Sequence, residues 1–311
     1  RNMMKMIKRK DPTRPAFFYC SYMAPHPPLV PLQVYLDMYK DKELQEPYGD
    51  DWPDCYILKA LRYPGSQYSK EEAIRARKAF YAQCTQIDYE IRLLIGTLRE
   101  CNLLDDTIIV FLSDHGDMLF DHNMVAKRLM YDNSARIPLI ITGKPALEYR
   151  GKGYEDKLAT MSDVMPTLLD MCGISIPDHV DGFPLFSSNK REYIYGEVSN
   201  GEKATRMIRN ERYKLIYYPT GNVKQLFDMV NDPHETHDLS GTDEYKPILE
   251  SMEKTLITEL YGSDLDWIKD GRLVGVEAPA EFQPNPDFGL YNQRGYHWPQ
   301  PKGYSNKGKN A

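Results

Sequence analysis

The chain has 311 residues, 41% of them apolar and 27% charged, with a formal net charge of −6. That is room for one large domain or two modest ones with an ordinary globular balance. Lys and Arg are dispersed with no basic stripe, which argues against a nucleic-acid partner. The longest apolar runs, such as Ile108 to Leu112 and Ile137 to Ile141, are far too short to cross a membrane.

Arg1-Asn-Met-Met-Lys5 has no apolar signal-peptide core and no methionine at position 1. The start reads as internal to something longer and says little about compartment. Five cysteines, Cys20, Cys55, Cys84, Cys101 and Cys172, are odd in number and widely spaced. Three lie in apolar stretches and are expected to be small buried hydrophobes rather than a disulfide framework, a lean towards a reducing, cytoplasmic compartment.

In chain order, Ala16–Tyr22 is a short aromatic, β-prone run and reads as a strand, ended by Pro25-His26-Pro27-Pro28, a loop that carries His26. Residues 32–68 read as an irregular surface excursion. Ser69-Lys-Glu-Glu72 has the form of a capping box. The helix it opens runs to about Asn102, with Phe80, Cys84, Ile87, Ile91, Leu94 and Leu98 on one face. A buried-looking strand from Thr107 to Leu112 then leads into Asp114-His115-Gly116. Strand, helix, strand at this spacing predicts a parallel sheet. Ile137–Ile141 is another strand. Ser162–Met171 is a helix started by Ser162 or Asp163 and stopped by Gly173 in a left-handed conformation.

The pattern changes after about Asn189. Arg191–Val198, Ala204–Asn210, Tyr213–Tyr218 and Gln225–Asp228 are short runs joined by turns, with hairpin connections at Asn210-Glu-Arg212 and Thr220-Gly-Asn222. They predict a small antiparallel sheet, followed by a helix over about Tyr245–Tyr261. The chain is expected to divide into residues 1–188, an α/β part, residues 189–261, a sheet-and-helix subdomain, and residues 262–311, an irregular tail.

The chemistry gathers at the strand end. Ligands of open α/β sheets collect at the carboxyl ends of strands. A carboxylate and an imidazole there, Asp114 and His115, can share one metal ion, provided Gly116 lets the backbone turn. The same residues also suit a surface turn with His115 hydrogen-bonded locally, and both readings stand at this point. Lys127, twelve residues after His115, could meet an anion held by the metal. His26, stiffened between prolines, could bind an anion or pass a proton. Each of the two, taken alone, is also an ordinary surface residue. His122 reads as a supporting or simply exposed residue, and Arg128 and Arg136 as ion-pair partners without a catalytic part.

Together these segments resemble the sulfatase family of the alkaline phosphatase superfamily. Ala24-Pro-His-Pro-Pro-Leu29 is similar to the family's A-P-H-x-P-L loop, and Ser113-Asp-His-Gly-Asp-Met-Leu119 with Asp121-His through Lys127 to its S-D-H-G-D block and lysine. Arg136-Ile-Pro-Leu-Ile140, Asp163-Val-Met-Pro-Thr-Leu-Leu-Asp170 with Asp181-Gly182, and Leu226-Phe-Asp-Met through Glu235 follow in the family's order. The resemblance covers about residues 11–261, and Arg294–Pro299 is similar to the tail of some bacterial members. It implies an alkaline-phosphatase-like α/β fold, a mostly parallel sheet flanked by helices with a small C-terminal antiparallel sheet and helix. It implies that Asp114 and His115 ligate a divalent metal, usually calcium, and that His26 and Lys127 hold the sulfate and stabilise charge as the S–O bond breaks. The substrate would be a small sulfated molecule, an aryl or sugar sulfate.

One departure is large. The family's formylglycine is made from Cys or Ser in C/S-x-P-x-R, and no Cys or Ser of this chain begins that motif. The family's early Asp-Asp metal pair is also missing. Asp105-Asp106 precedes a strand, the wrong end, and Asp50-Asp51 lies in the irregular excursion. The chain therefore reads as the C-terminal half to two-thirds of a sulfatase, expected to be inactive alone, with the formylglycine in an N-terminal segment. An incomplete sheet predicts an exposed edge and self-association. Two other readings stay open: a phosphonate monoester or phosphodiester hydrolase of the same superfamily, often using manganese, and a non-catalytic remnant that binds an anion or a partner.

Overall fold

A computed structural model describes residues 1–49, 56–61, 68–154, 156–279, 291–292 and 295–296. Asp50-Asp51 and Cys55 lie outside the described residues. In chain order the helices are α1 (Asn2–Lys8), α2 (Gln33–Leu36), α3 (Tyr56–Leu61), α4 (Lys70–Glu100), α5 (Asp132–Ala135), α6 (Lys144–Arg150), α7 (Val164–Met171) and α8 (Lys246–Glu259). The strands are β1 (Ile109–Leu112), β2 (Leu139–Thr142), β3 (Ile194–Val198), β4 (Thr205–Arg209), β5 (Tyr213–Tyr218), β6 (Val223–Asp228), β7 (Ile268–Lys269), β8 (Arg272–Leu273), β9 (Tyr291–Asn292) and β10 (Gly295–Tyr296).

Helix α4 starts where the capping box predicts. The Ser69 hydroxyl accepts the Glu72 N–H at 3.2 Å, and the Glu72 carboxylate accepts the Ser69 N–H at 2.8 Å. Its inner face differs from the expected apolar stripe. Leu98 is buried but Cys84 is exposed. Ala73, Arg77, Ala79, Ala82 and Gln83 do the packing. Small residues allow close approach and Arg77 makes specific hydrogen bonds, neither of which apolar periodicity registers. The described cysteines also depart from the expectation of burial: Cys20, Cys84 and Cys172 are exposed and Cys101 is half-buried.

The described strands depart from the parallel pattern. Strand β1 pairs antiparallel with β2, Phe111 opposite Ile140. None of the eight residues in this pair is buried, and Phe111 and Ile140 are both exposed. Residues 16–22 form no strand, and Phe17 and Tyr19 are each 79% exposed. A β-prone sequence needs a partner edge to become a strand, and none of the described residues supplies one here.

Helix α7 opens with Asp163 at its N-cap, one of the two residues the sequence offers, behind a 3-10 turn over Met161–Asp163 whose own N-cap is Thr160. Asp163 is fully buried. It accepts the Thr160 and Phe183 N–H groups at 2.8 Å each and a bidentate pair from Arg191 at 2.6 and 2.7 Å. Gly173 does end the helix with φ +65°.

Strands β3 to β6 form an antiparallel meander in chain order. The β5–β6 connection is a four-residue loop over residues 219–222, closed by the Asn222 N–H on the Pro219 carbonyl at 3.0 Å, with Gly221 and Asn222 in the left-handed region at φ 84° and 53°. Alternate residues feed opposite faces. Met207, Ile216, Tyr218 and Phe227 pack against Met118, Met124, Met130 and Tyr131, while Ile208, Leu215, Tyr217 and Leu226 pack against Met252, Leu256, Trp267 and Leu273. Both faces are therefore covered, at about 1.5–3 kcal/mol for each fully buried large apolar side chain. One cover is α8 and the other is the 118–131 segment of the candidate site. The start of the tail is ordered rather than irregular. Residues 262–267 form a 3-10 turn, β7 pairs with β8, and Val276 bridges Thr220. Its anchors are Trp267, Leu273 and a buried Asp264–Arg206 pair at 2.6 Å, single contacts without periodicity.

Candidate anion and metal site

Strand β1 delivers Asp114 and His115 just past its carboxyl end. The Asp114 side chain is exposed. Its Oδ1 accepts the His115 N–H at 3.0 Å, and its Oδ2 lies 3.5 Å from His115 Nε2. His115 Nδ1 is 2.8 Å from the Gly116 carbonyl. A carbonyl only accepts, so Nδ1 carries the proton of the neutral ring and Nε2 presents its lone pair on the Asp114 side. Ligand atoms of a divalent ion stand about 2.0–2.6 Å from it, so a carboxylate oxygen and an imidazole nitrogen at this separation suit neighbouring positions in one coordination shell. Among the described residues no third His, Cys, Asp or Glu joins them in a metal-binding group.

Gly116, where the sequence reading needs the backbone to turn, is also a point of close approach. A Cβ there would stand 2.0 Å from the Asn133 carbonyl oxygen, and the Gly116 N–H donates to the Ser134 carbonyl at 2.8 Å. Glycine is required because the 133–134 backbone lies against it.

The structure brings the other two predicted residues to the same place. Lys127 Nζ lies 2.5 Å from His26 Nε2, and the His26 and His115 rings are 6.5 Å apart between centroids. His26 Nδ1 faces the Pro27 carbonyl at 2.8 Å, so its Nε2 is the acceptor for the ammonium. Burial pushes the Lys127 amine below its ordinary range, while the Asp117 and Asp114 charges pull it back up. An ammonium and an imidazole in contact, beside a carboxylate–imidazole pair, can hold an anion and exchange a proton with it.

Lys127 rides on a contorted loop. Leu119, Phe120, His122, Asn123, Ala126 and Arg128 all have φ between 43° and 78°. A left-handed non-glycine residue costs roughly 1–2 kcal/mol, and such residues persist only where surroundings over-determine them. Asp117 closes the loop by accepting the Leu119 and Ala126 N–H groups at 3.0 and 3.2 Å. Asp121 is its hub. It takes the Arg77 guanidinium, the Tyr48 N–H at 3.0 Å and the Asn133 amide at 2.5 Å. Arg77 also donates to the Leu119 and Gln45 carbonyls at 2.9 and 2.8 Å. Sequence reading gave no role to Arg77, Asp117 or Asn133 and placed Asp121 only in a motif. The visible signal was two acidic residues in a block otherwise bound for a strand end and a tight turn.

His122 is a buried wedge, not an exposed residue. It stacks on Tyr131 at 5.0 Å, and its N–H donates to the Tyr48 carbonyl at 2.7 Å. Burial depresses its pKa to about 4 from 6.5. The unfolded chain therefore binds more protons between those values. This ring contributes stability that is complete above pH 6.5 and is lost as pH falls towards 4, on the order of 3 kcal/mol. Urea midpoints from about pH 7.5 to about 4.5 are expected to fall with that slope. His122→Asn, which tolerates the left-handed backbone, removes it. An unchanged slope in the variant places the titration elsewhere.

Fold comparison defines the class first. A phosphonate monoester hydrolase of Silicibacter pomeroyi superposes with a TM-score of 0.71 at 22% identity, covering 88% of this chain and 63% of that one. The phosphonate monoester hydrolase of Agrobacterium radiobacter gives 0.70 at 21%, with 88% and 62% covered. BT4656, solved with D-glucosamine-2-N,6-O-disulfate, gives 0.68 at 20%, with 83% and 67% covered. The fold is that of alkaline-phosphatase-like α/β proteins.

The sulfatase family model matches residues 1–174, and the model for the C-terminal part of N-sulphoglucosamine sulphohydrolase matches residues 120–261. The chain belongs to the sulfatase family. It is 36% identical over 286 residues to an arylsulfatase of Clostridium perfringens, covering 86% of this chain and 58% of that protein. It is 31% identical over 243 residues to a choline-sulfatase of Rhizobium meliloti, covering 73% and 46%. The chain spans about half the length of the curated relatives it matches.

Proposed function

We propose that this chain carries the metal-and-anion half of a hydrolase of small sulfate esters. The carrying observation is the convergence of His26 Nε2 and Lys127 Nζ, 2.5 Å apart, beside the Asp114–His115 pair at 3.5 Å. Asp114 and His115 are the metal ligands in this reading. The ion is calcium, with its remaining ligands and the formylglycine nucleophile supplied from a segment outside these 311 residues. When bound, the ion polarises the sulfuryl oxygens and offsets their charge. Lys127, and His26 once it has taken the shared proton on Nε2, donate to the non-bridging oxygens and strengthen that hold as charge shifts in the transition state. Their shared proton can pass to the departing alkoxide.

Specific observations favour a second reading, a phosphonate monoester hydrolase. The fold likeness to two such enzymes is at 0.70–0.71. An imidazole ligand is also softer than the oxygen shells calcium prefers, which suits manganese better.

This polypeptide with calcium is expected to leave an aryl sulfate at the blank rate. Turnover above blank would refute the placement of the nucleophile elsewhere. In the complete polypeptide, a chelator is expected to abolish sulfate-ester turnover and calcium to restore it. Restoration by manganese alone, with a phosphonate monoester preferred, installs the second reading instead.

A further inference from the structure

Lys127 leads directly into the core. After Arg128, in the left-handed region, Leu129, Met130 and Tyr131 are 3%, 5% and 0% exposed. The next residue, Asp132, meets a charged cluster that no part of the proposed chemistry uses. Lys214, the second residue of β5, is 1% exposed. Its ammonium donates to the Met130 carbonyl at 3.0 Å, to the Asp132 carboxylate, and to Glu235 Oε1 at 2.7 Å. Glu235 Oε2 accepts the Asp132 N–H at 2.6 Å, and Arg209 from β4 holds both Asp132 oxygens at 2.7 and 2.8 Å. Two carboxylates and two cations balance, with Lys214 and Glu235 sealed from solvent and Asp132 and Arg209 at the rim of the cluster.

What it holds is the segment the site depends on. Residues 133 and 134 follow at once, and their carbonyls press on Gly116 behind His115. Asn133 also ties into Asp121, the hub of the Lys127 loop. One buried lysine thus fixes a span with the Lys127 loop on one side and the backing of His115 on the other. A lysine donating to three acceptors fixes both the depth and the rotation of that span, whereas apolar contacts alone permit sliding.

We infer that Lys214, with Asp132 and Glu235, is a positioning residue: the antiparallel sheet uses it to set the placement of Lys127 against the Asp114–His115 pair. The inference rests on the reading in which Lys127 contacts the anion, and its exchange test is independent of that reading. Lys214→Met alone would leave two buried carboxylates and risk unfolding. The variant of choice is Lys214→Met with Asp132→Asn and Glu235→Gln, which keeps volume, removes the three most buried charges and leaves only Arg209, whose side chain reaches solvent.

In this chain, the triple variant is expected to speed amide hydrogen exchange across residues 119–128 at least tenfold, with the amides of β5 and β6 within about twofold of the parent. In the complete polypeptide it is expected to lower kcat for a sulfate ester at least tenfold with KM little changed. Exchange that rises equally across the sheet and loop, or not at all at 119–128, overturns the proposal, as does a kcat that recovers along with stability. A parent polypeptide that turns over no sulfate ester counts against the functional reading, and the exchange contrast then decides the inference alone.

Discussion

Lys127→Met is expected to lower kcat for a sulfate ester by about a hundred- to a thousand-fold in the complete polypeptide, with stability changed by less than about 1 kcal/mol. The two numbers separate because the side chain is placed for chemistry and not for packing. Its ammonium faces His26 and the mouth of the Asp114–His115 pair. A donor aimed at charge that develops during reaction is worth several kcal/mol there, since no water has to reorganise to replace it. Methionine nearly matches the stem in length and shape. Burial already pushes the Lys127 amine below its ordinary range, so folding disfavours its charged form, and removing the charge takes nothing from the folded state below that range. The check is steady-state kinetics paired with a urea melt. A kcat loss under about fivefold would remove Lys127 from the site, and a large stability loss would make it a structural residue.

The legible parts of this molecule are those carried by local patterns. Ser69-Lys-Glu-Glu72 writes a cap into four residues, and the cap is present. Tyr213–Tyr218 reads as a strand with its true ends, because turn residues flank an apolar run. Asp114, His115, Lys127 and His26 are legible as chemistry-bearing types, yet nothing local says that positions 26 and 127 touch across 101 residues. The cluster at Asp132, Lys214 and Glu235 escapes reading for a related reason. Charged residues are ordinarily solvated, and only the assembled sheet shows Lys214 to be among the most deeply buried side chains. Pairing sense is the third gap. The run before Asp114 shows a strand, but whether β1 meets β2 in parallel or antiparallel sense is decided by the chain between them. Here that chain is the irregular, loop-rich stretch that carries Lys127. Phe111, Ile140, Phe17 and Tyr19 remain exposed, apolar surface of the kind expected at an uncovered sheet.

Asp121→Ala is expected to cost this chain about 3–5 kcal/mol, the range for breaking a buried ion pair by removing one partner. The Asp121 and Arg77 side chains are 8% and 6% exposed. Alanine strands the guanidinium with two carbonyl acceptors and no counter-charge, and leaves the Tyr48 N–H and an Asn133 amide without their acceptor. The hub also opposes the strain of the left-handed residues around it, so the loss falls first on the Lys127 loop. Urea unfolding of Asp121→Ala, Arg77→Met and the double variant gives the coupling directly. The double variant is expected to be more stable than Asp121→Ala alone, because the orphaned charge is gone. It is not expected to restore the loop, which still lacks its acceptor for Tyr48 and Asn133. If Asp121→Ala costs less than about 1 kcal/mol, water reaches the hub, and the loop owes its shape to the 129–134 anchor alone.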